Sequence, residues 1–198
     1  LNSSADAPGM YILTIENTLN GCIAQKQIPV TQDTLAPNAI AAPGGDVTCA
    51  IQSLNLNGTG SSAGNNFTYG WTAGTGGTIL SGGTTLNPLV SGAGNYTLQV
   101  SNITNGCTAT VSTTVGSNTT PPNAAIALPQ TLTCQLTAVT LDGTGSSQGA
   151  NFSAAWSTTN GNIVSGQNTF SAVVNQPGDY TITIINQQNG CSSLAQVL

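Results

Sequence analysis

Five cysteines stand in a chain that carries little other reactive chemistry: Cys22, Cys49, Cys107, Cys134 and Cys191. A thiol can bridge, ligate a metal or act as a nucleophile. The spacing favours bridging. The stretch from Cys49 to Cys107 matches that from Cys134 to Cys191 to within a single residue. This regular pairing predicts two disulfides, Cys49–Cys107 and Cys134–Cys191, and with them an oxidising compartment. Each bridge, closing a loop of about 58 residues, would contribute about 4 kcal/mol in the chain-entropy model. Cys22 is left over, and in register its partner falls upstream of Leu1, so it is expected to bond a residue outside the chain. Buried free thiols are the alternative, because cysteine also packs as a small hydrophobe.

Other chemistry lacks its residues. There is no histidine and no arginine, and only Lys26, Asp6, Glu16, Asp33, Asp46, Asp142 and Asp179 carry charge. A nucleophile–base set has no base. Paired carboxylates for glycoside hydrolysis are missing, because Asp46 stands alone in one repeat while Asp142 and Asp179 occupy other positions in the next. Calcium wants several carboxylates in one loop, and transition metals want His or thiolate clusters. Gly58-Thr59-Gly60 is followed by neither a lysine nor a helix, which excludes a phosphate loop. The expectation is a protein that is not an enzyme, with no catalytic residue, cofactor or metal.

Charge limits the partners as well. The net charge is −5 and 4% of residues are charged, against about 25% in a typical domain. One lysine cannot neutralise a phosphate backbone, so nucleic acid is excluded. Disorder is not implied, because disordered chains combine low hydrophobicity with high net charge. No apolar run reaches the length of about 18 residues that a spanning helix needs, and no membrane span is expected in this segment. Any export signal is expected outside it.

The elements that must hold these cysteines repeat with a period of roughly 85 residues, and such fixed-period self-similarity indicates an array of like modules. Gly9-Met10-Tyr11, Gly94-Asn95-Tyr96 and Gly178-Asp179-Tyr180 each open a strand-like phrase, and each tyrosine precedes an Asn-Gly-Cys by the same distance. Trp71 follows Cys49 by the same stretch that separates Trp156 from Cys134. The expected division is 1–36, the closing half of a truncated repeat, then complete repeats at 37–120 and 121–198. Pro37 and Pro121-Pro122 stiffen short connections, so the modules should sit end to end with limited bending. Tyr96, Leu98 and Val100 alternate with polar residues, as a half-buried strand requires. Asn105-Gly106 supplies the positive-φ pair that a hairpin turn wants. About seven short strands per repeat read as an all-β, two-sheet sandwich. Trp71, Trp156, Tyr11, Tyr96 and Tyr180 are expected as core anchors. Exposed indoles serving as a glycan platform are the alternative.

Leu141-Asp142-Gly143-Thr144-Gly145-Ser146-Ser147, then Trp156, Gly161-Asn162-Ile163-Val164-Ser165-Gly166 and Gly178-Asp179-Tyr180-Thr181, resemble a PKD-like, immunoglobulin-type repeat. Leu56-Asn57-Gly58-Thr59-Gly60-Ser61-Ser62, Trp71 and Gly94-Asn95-Tyr96 match in the preceding repeat. With the paired cysteines, the chain is similar to tandem repeats of large cell-surface adhesins that gliding and biofilm-forming Bacteroidetes-type bacteria export by the type IX system. The resemblance implies tandem immunoglobulin-like sandwiches in an extracellular stalk or filament. Its partners would be adjacent repeats of the same polypeptide, self-association into fibres, and covalent glycans. Two alternatives stay open: a self-assembling subunit completed by a neighbouring chain's strands, and a glycan-binding array. The phrase Asp-Phe-Gly-Asp-Gly is missing, and Asn57 stands where the next repeat has Asp142, so no calcium site carries over. Asp33-Thr34-Leu35 resembles the Asp-Ser/Thr-aliphatic O-glycosylation signal of such proteins, making Thr34 a candidate acceptor. Asn-x-Ser/Thr also occurs at Asn2, Asn57, Asn66, Asn95, Asn102, Asn118 and Asn151. The truncated first repeat would leave Tyr11, Leu13, Ile15 and Ile23 bare unless strands come from upstream or from another chain.

Overall fold

A computed structural model describes residues 3–198. Leu1 and Asn2, the latter in one of the Asn-x-Ser/Thr patterns, lie outside the described residues. Fifteen strands and no helix occur among the described residues. The first repeat supplies β1 (Gly9–Glu16) and β2 (Ile23–Val30). The second supplies β3 (Asp46–Thr48), β4 (Ser53–Asn55), β5 (Phe67–Ala73), β6 (Thr78–Ser81), β7 (Leu89–Ser91), β8 (Gly94–Asn102) and β9 (Thr108–Asn118). The third supplies β10 (Val139–Asp142), β11 (Phe152–Thr158), β12 (Ile163–Ser165), β13 (Ser171–Val174), β14 (Tyr180–Asn186) and β15 (Ser192–Val197).

Alternation drives the packing. Tyr96, Leu98 and Val100 of β8 are buried, as are Tyr180, Ile182 and Ile184 of β14. Each buried Leu or Ile contributes roughly 1.5–3 kcal/mol. In the second repeat one sheet runs β3-β9-β8-β5 and the other β4-β7-β6; in the third they run β11-β14-β15 and β10-β13-β12. The β3–β9 pairing is parallel and the other pairings are antiparallel. Two sheets, antiparallel apart from the β3 edge, with the last hairpin joined to the strand that carries the tryptophan, give the immunoglobulin-like sandwich.

Two further marks of that sandwich are built in. Trp71 pairs in register with Leu98, and Trp156 with Ile182. Both indoles are buried, and their Nε1–H groups donate to the Thr85 and Thr169 carbonyls at 3.0 Å. A glycan platform therefore has no exposed indole to use. The tyrosine hydroxyls donate four residues back: Tyr96 to Gly92 at 2.9 Å, Tyr180 to Gln176 at 2.6 Å, Tyr11 to Ala7 at 2.8 Å. This is the corner of an immunoglobulin-type strand. Gly143 must be glycine, because a Cβ there would lie 2.9 Å from the Phe170 carbonyl oxygen and 3.2 Å from the Trp156 ring. The Ser61 and Ser146 hydroxyls fasten the leading segment of each repeat, accepting from the amides of Ile40 at 2.9 Å and Ala125 at 3.0 Å.

Two expectations need correction. Tyr11, expected among the core anchors, is 40% exposed, because β1 and β2 pair only with each other and no second sheet covers them among the described residues. Leu13, Ile15 and Ile23 are exposed for the same reason. The hairpin turns also differ from the expected positive-φ pair. Among the described residues no non-glycine residue has positive φ; in these turns Gly21, Gly106 and Gly190 alone take it. The preceding asparagine works through its side chain instead, accepting the cysteine amide.

Tyr180→Phe removes the acceptor of the Asn162 amide and the donor to Gln176. It should lower stability by about 1–2 kcal/mol. Urea unfolding followed by tryptophan fluorescence reads this directly, and an unchanged midpoint would show that the corner bonds contribute nothing.

Candidate functional site

The site that the cysteines build lies between repeats, not inside them. Cys49 is bonded to Cys191, with 5.0 Å between their Cα atoms and a sequence separation of 142. This corrects both expected bridges. Cys107, half-buried, and Cys134, exposed, are free thiols, as is exposed Cys22.

The reason lies along β9. That strand begins next to Cys107 and pairs with β3 only at its far end, where Thr48 sits opposite Asn118. Cys49 follows Thr48 directly. Eleven residues of extended chain separate the two ends, roughly 36 Å at about 3.3 Å per residue. A disulfide needs Cα atoms within about 7 Å. Cys49 and Cys107 therefore lie at opposite poles of one sandwich. Bridge for bridge, loop entropy discriminates little, since closing the longer loop rather than the shorter changes the contribution by only about 1 kcal/mol.

Each cysteine is presented by a turn with its own internal bonds. On the Cys49 side, the Thr48 amide donates to the Ile51 carbonyl at 2.8 Å, and the Thr48 hydroxyl accepts from the Ile51 amide at 2.9 Å. On the Cys191 side, the motif is longer than Asn-Gly-Cys. The Asn186 side chain accepts the Gln188 amide at 3.0 Å, and the Gly190 amide donates to the Asn186 carbonyl at 2.8 Å. The Asn189 side chain accepts the Cys191 amide at 2.9 Å. Asn17 and Asn102 hold the other two turns in the same way. The working phrase is thus Asn-x-x-Asn-Gly-Cys, whose first asparagine the sequence reading missed.

Asn189 is the centre of the junction. It is 1% exposed, and its amide donates to Asn118 Oδ1 and to the Thr120 carbonyl, both at 3.0 Å. Its backbone carbonyl accepts the Ala50 amide at 3.2 Å. The third repeat thereby grips the connecting segment and the pole of the second. Gly190 presses so closely that a Cβ would lie 2.5 Å from that of Ala50. Its φ of 69° is left-handed, as is the 71° of the equivalent Gly21. Asn105 occupies the position of Asn189 one repeat earlier, donating to the Leu35 carbonyl at 3.0 Å.

The remaining candidates have structural surroundings. Asp142 accepts the Thr144 hydroxyl at 2.6 Å and the Thr144 amide at 2.8 Å. These bonds, the hydroxyl's first, hold its pKa below the usual carboxylate value. Asn57 accepts the Thr59 amide at 2.9 Å in the same turn, which explains why Asp and Asn interchange there. Thr34 is exposed in the connection between Val30 and Asn38, and Asp33 Oδ1 accepts the Leu35 amide beside it at 3.1 Å.

No protein-family model and no curated protein matches the chain. Among solved structures it is similar to the N-terminal eight Ig domains of Down Syndrome Cell Adhesion Molecule: 14% identity, 98% of this chain, 31% of that one, TM-score 0.44. It is also similar to a Drosophila N-cadherin fragment, at 11% identity over 97% of this chain and 57% of that one, TM-score 0.40. The human Desmocollin-1 ectodomain matches at 11% identity over 89% of this chain and 38% of that one, TM-score 0.35. The chain spans about a third of the length of the desmocollin and Down Syndrome molecule chains.

Asn189→Ala leaves the Thr120 carbonyl, Asn118 Oδ1 and the Cys191 amide without their partner. A loss of about 1–3 kcal/mol is expected, and a smaller one for Asn105→Ala, which has fewer bonds to lose. Thermal unfolding under non-reducing conditions compares the two; equal losses would contradict the central role of Asn189.

Proposed function

We propose that this chain is a segment of an extracellular surface stalk, in which sandwich modules are joined end to end and locked at their junctions. The observation that carries this reading is the Cys49–Cys191 bridge across the connection between two repeats. A disulfide in that place does little for either core, but it removes a hinge. Its formation calls for an oxidising compartment outside the cytosol. The resemblance of the repeats to PKD-like modules of type IX-exported Bacteroidetes-type adhesins supports a role in holding an adhesive tip away from the cell. The partners in this reading are neighbouring repeats of the same polypeptide. A surface with so little charge would gain solubility from covalent glycans, with Thr34 as the candidate acceptor.

The bare β1–β2 hairpin favours a second reading. Its counterpart β8–β9 is covered by the β4-β7-β6 sheet, so the hairpin calls for an equivalent three-stranded sheet. If that sheet came from a neighbouring chain, the protein would be an assembling filament subunit.

Small-angle X-ray scattering of the full chain tests the stalk. The oxidised chain should give one elongated shape. Cys191→Ser with Asn189→Ala should broaden the distance distribution, as bending at the junction increases. Identical curves would show that the junction does not set stiffness. Growth of the oxidised particle with concentration, abolished by Tyr11→Asp, would favour the subunit reading.

A further inference from the structure

Cys107 and Cys134 do not sit like leftover thiols; each occupies one half of a further copy of the junction already described. The Cys134 turn repeats the two threonine bonds described for the Cys49 turn. The Thr133 amide donates to the Leu136 carbonyl at 2.9 Å, and the Thr133 hydroxyl accepts the Leu136 amide at 2.9 Å. The Cys107 turn repeats the Cys191 turn, with the Cys107 amide donating to Asn105 Oδ1 at 2.9 Å. It is already docked on its connecting segment, because Asn105 grips the Leu35 carbonyl as Asn189 grips that of Thr120.

The two thiols cannot bond each other. Cys107 adjoins the connection before the second repeat, where Asn105 holds the Leu35 carbonyl, whereas Cys134 follows Leu132, which lies beside Val197 at the end of β15 remote from Cys191.

We propose that Cys134 is a disulfide acceptor site for the Asn-x-x-Asn-Gly-Cys turn of a like module continuing the same period. Cys107 is the reciprocal site for the Thr-Cys turn of a preceding like module. Bridges then run from module to module along the array, each linking the first cysteine of one to the second cysteine of the next. The step joins two thiols as a disulfide, releasing two protons and two electrons that reduce a small-molecule disulfide such as oxidised glutathione to two thiols. This inference rests on the array reading, but the two fail separately. A bent junction in scattering would sink the stalk and leave the bond map untouched, whereas an unbonded Cys134 would do the reverse.

The test extends the full chain in phase, residues 1–198 followed by a second copy of residues 115–198, oxidised with glutathione and mapped as non-reduced peptides. Cys49–Cys191 should persist, and Cys134 should be linked to Cys191 of the appended copy. Cys134 linked to Cys107, or still open to alkylation, would overturn the proposal. A second variant separates bonding from folding. With Cys191→Ser in the appended copy only, the near-ultraviolet circular dichroism should be unchanged and Cys134 should react with maleimide. Protection of Cys134 in that variant would also overturn it. In the unextended chain Cys134 should be alkylated while Cys49 and Cys191 are not, and resistance there would count against an open site.

Discussion

A β-sandwich has two poles a strand's length apart, and chain topology decides which turn lies at which. Here the turn before β4 and the turn between β8 and β9 fall at opposite ends of the same module. A cysteine in each cannot reach its mate inside the module, whatever the entropy of the loop. It can reach the equivalent cysteine of the next module, because stacking brings unlike poles together. The Cys49–Cys191 bridge, the buried Asn189 and the contact of Gly190 with Ala50 all follow from that one geometrical fact.

The junction divides its work between two interactions. The disulfide limits how far the repeats can separate, while Asn189 sets their orientation through bonds to Asn118 and Thr120. A buried amide with both donors and its acceptor satisfied is directional in a way that a disulfide's rotatable arms are not. Proline at Pro121-Pro122 adds stiffness immediately beyond the gripped carbonyl. Uncharged side chains suit this arrangement, since the poles of successive modules meet without like charges to repel.

Much of the fold was legible in the sequence. Alternation placed Tyr96, Leu98 and Val100 on an inward face, and one tryptophan per repeat at a fixed place pointed to the core. The pairing of cysteines was not legible from spacing, for a symmetry reason. In a periodic array with two cysteines per period, a bridge within each repeat and a bridge to the next are equally regular. The deciding signal was the run of strands between the cysteines, which puts Cys49 and Cys107 at different poles. The first asparagine of the turn motif was hidden because Asn17, Asn102 and Asn186 look like ordinary polar residues at a strand end. Asn189 was read as a backbone device, whereas its side chain makes the junction.

Pulling a single chain from its two ends tests the cross-repeat bridge most directly. With Cys49 bonded to Cys191, tension passes through the bridge, and the loop of 142 residues between them stays out of the extension. Adding reductant should lengthen the fully stretched chain by about 500 Å, at roughly 3.5 Å per residue. Two bridges inside the repeats would withhold only about 115 residues between them, and reduction would then add about 400 Å. A gain of that size, or no gain at all, would contradict the account.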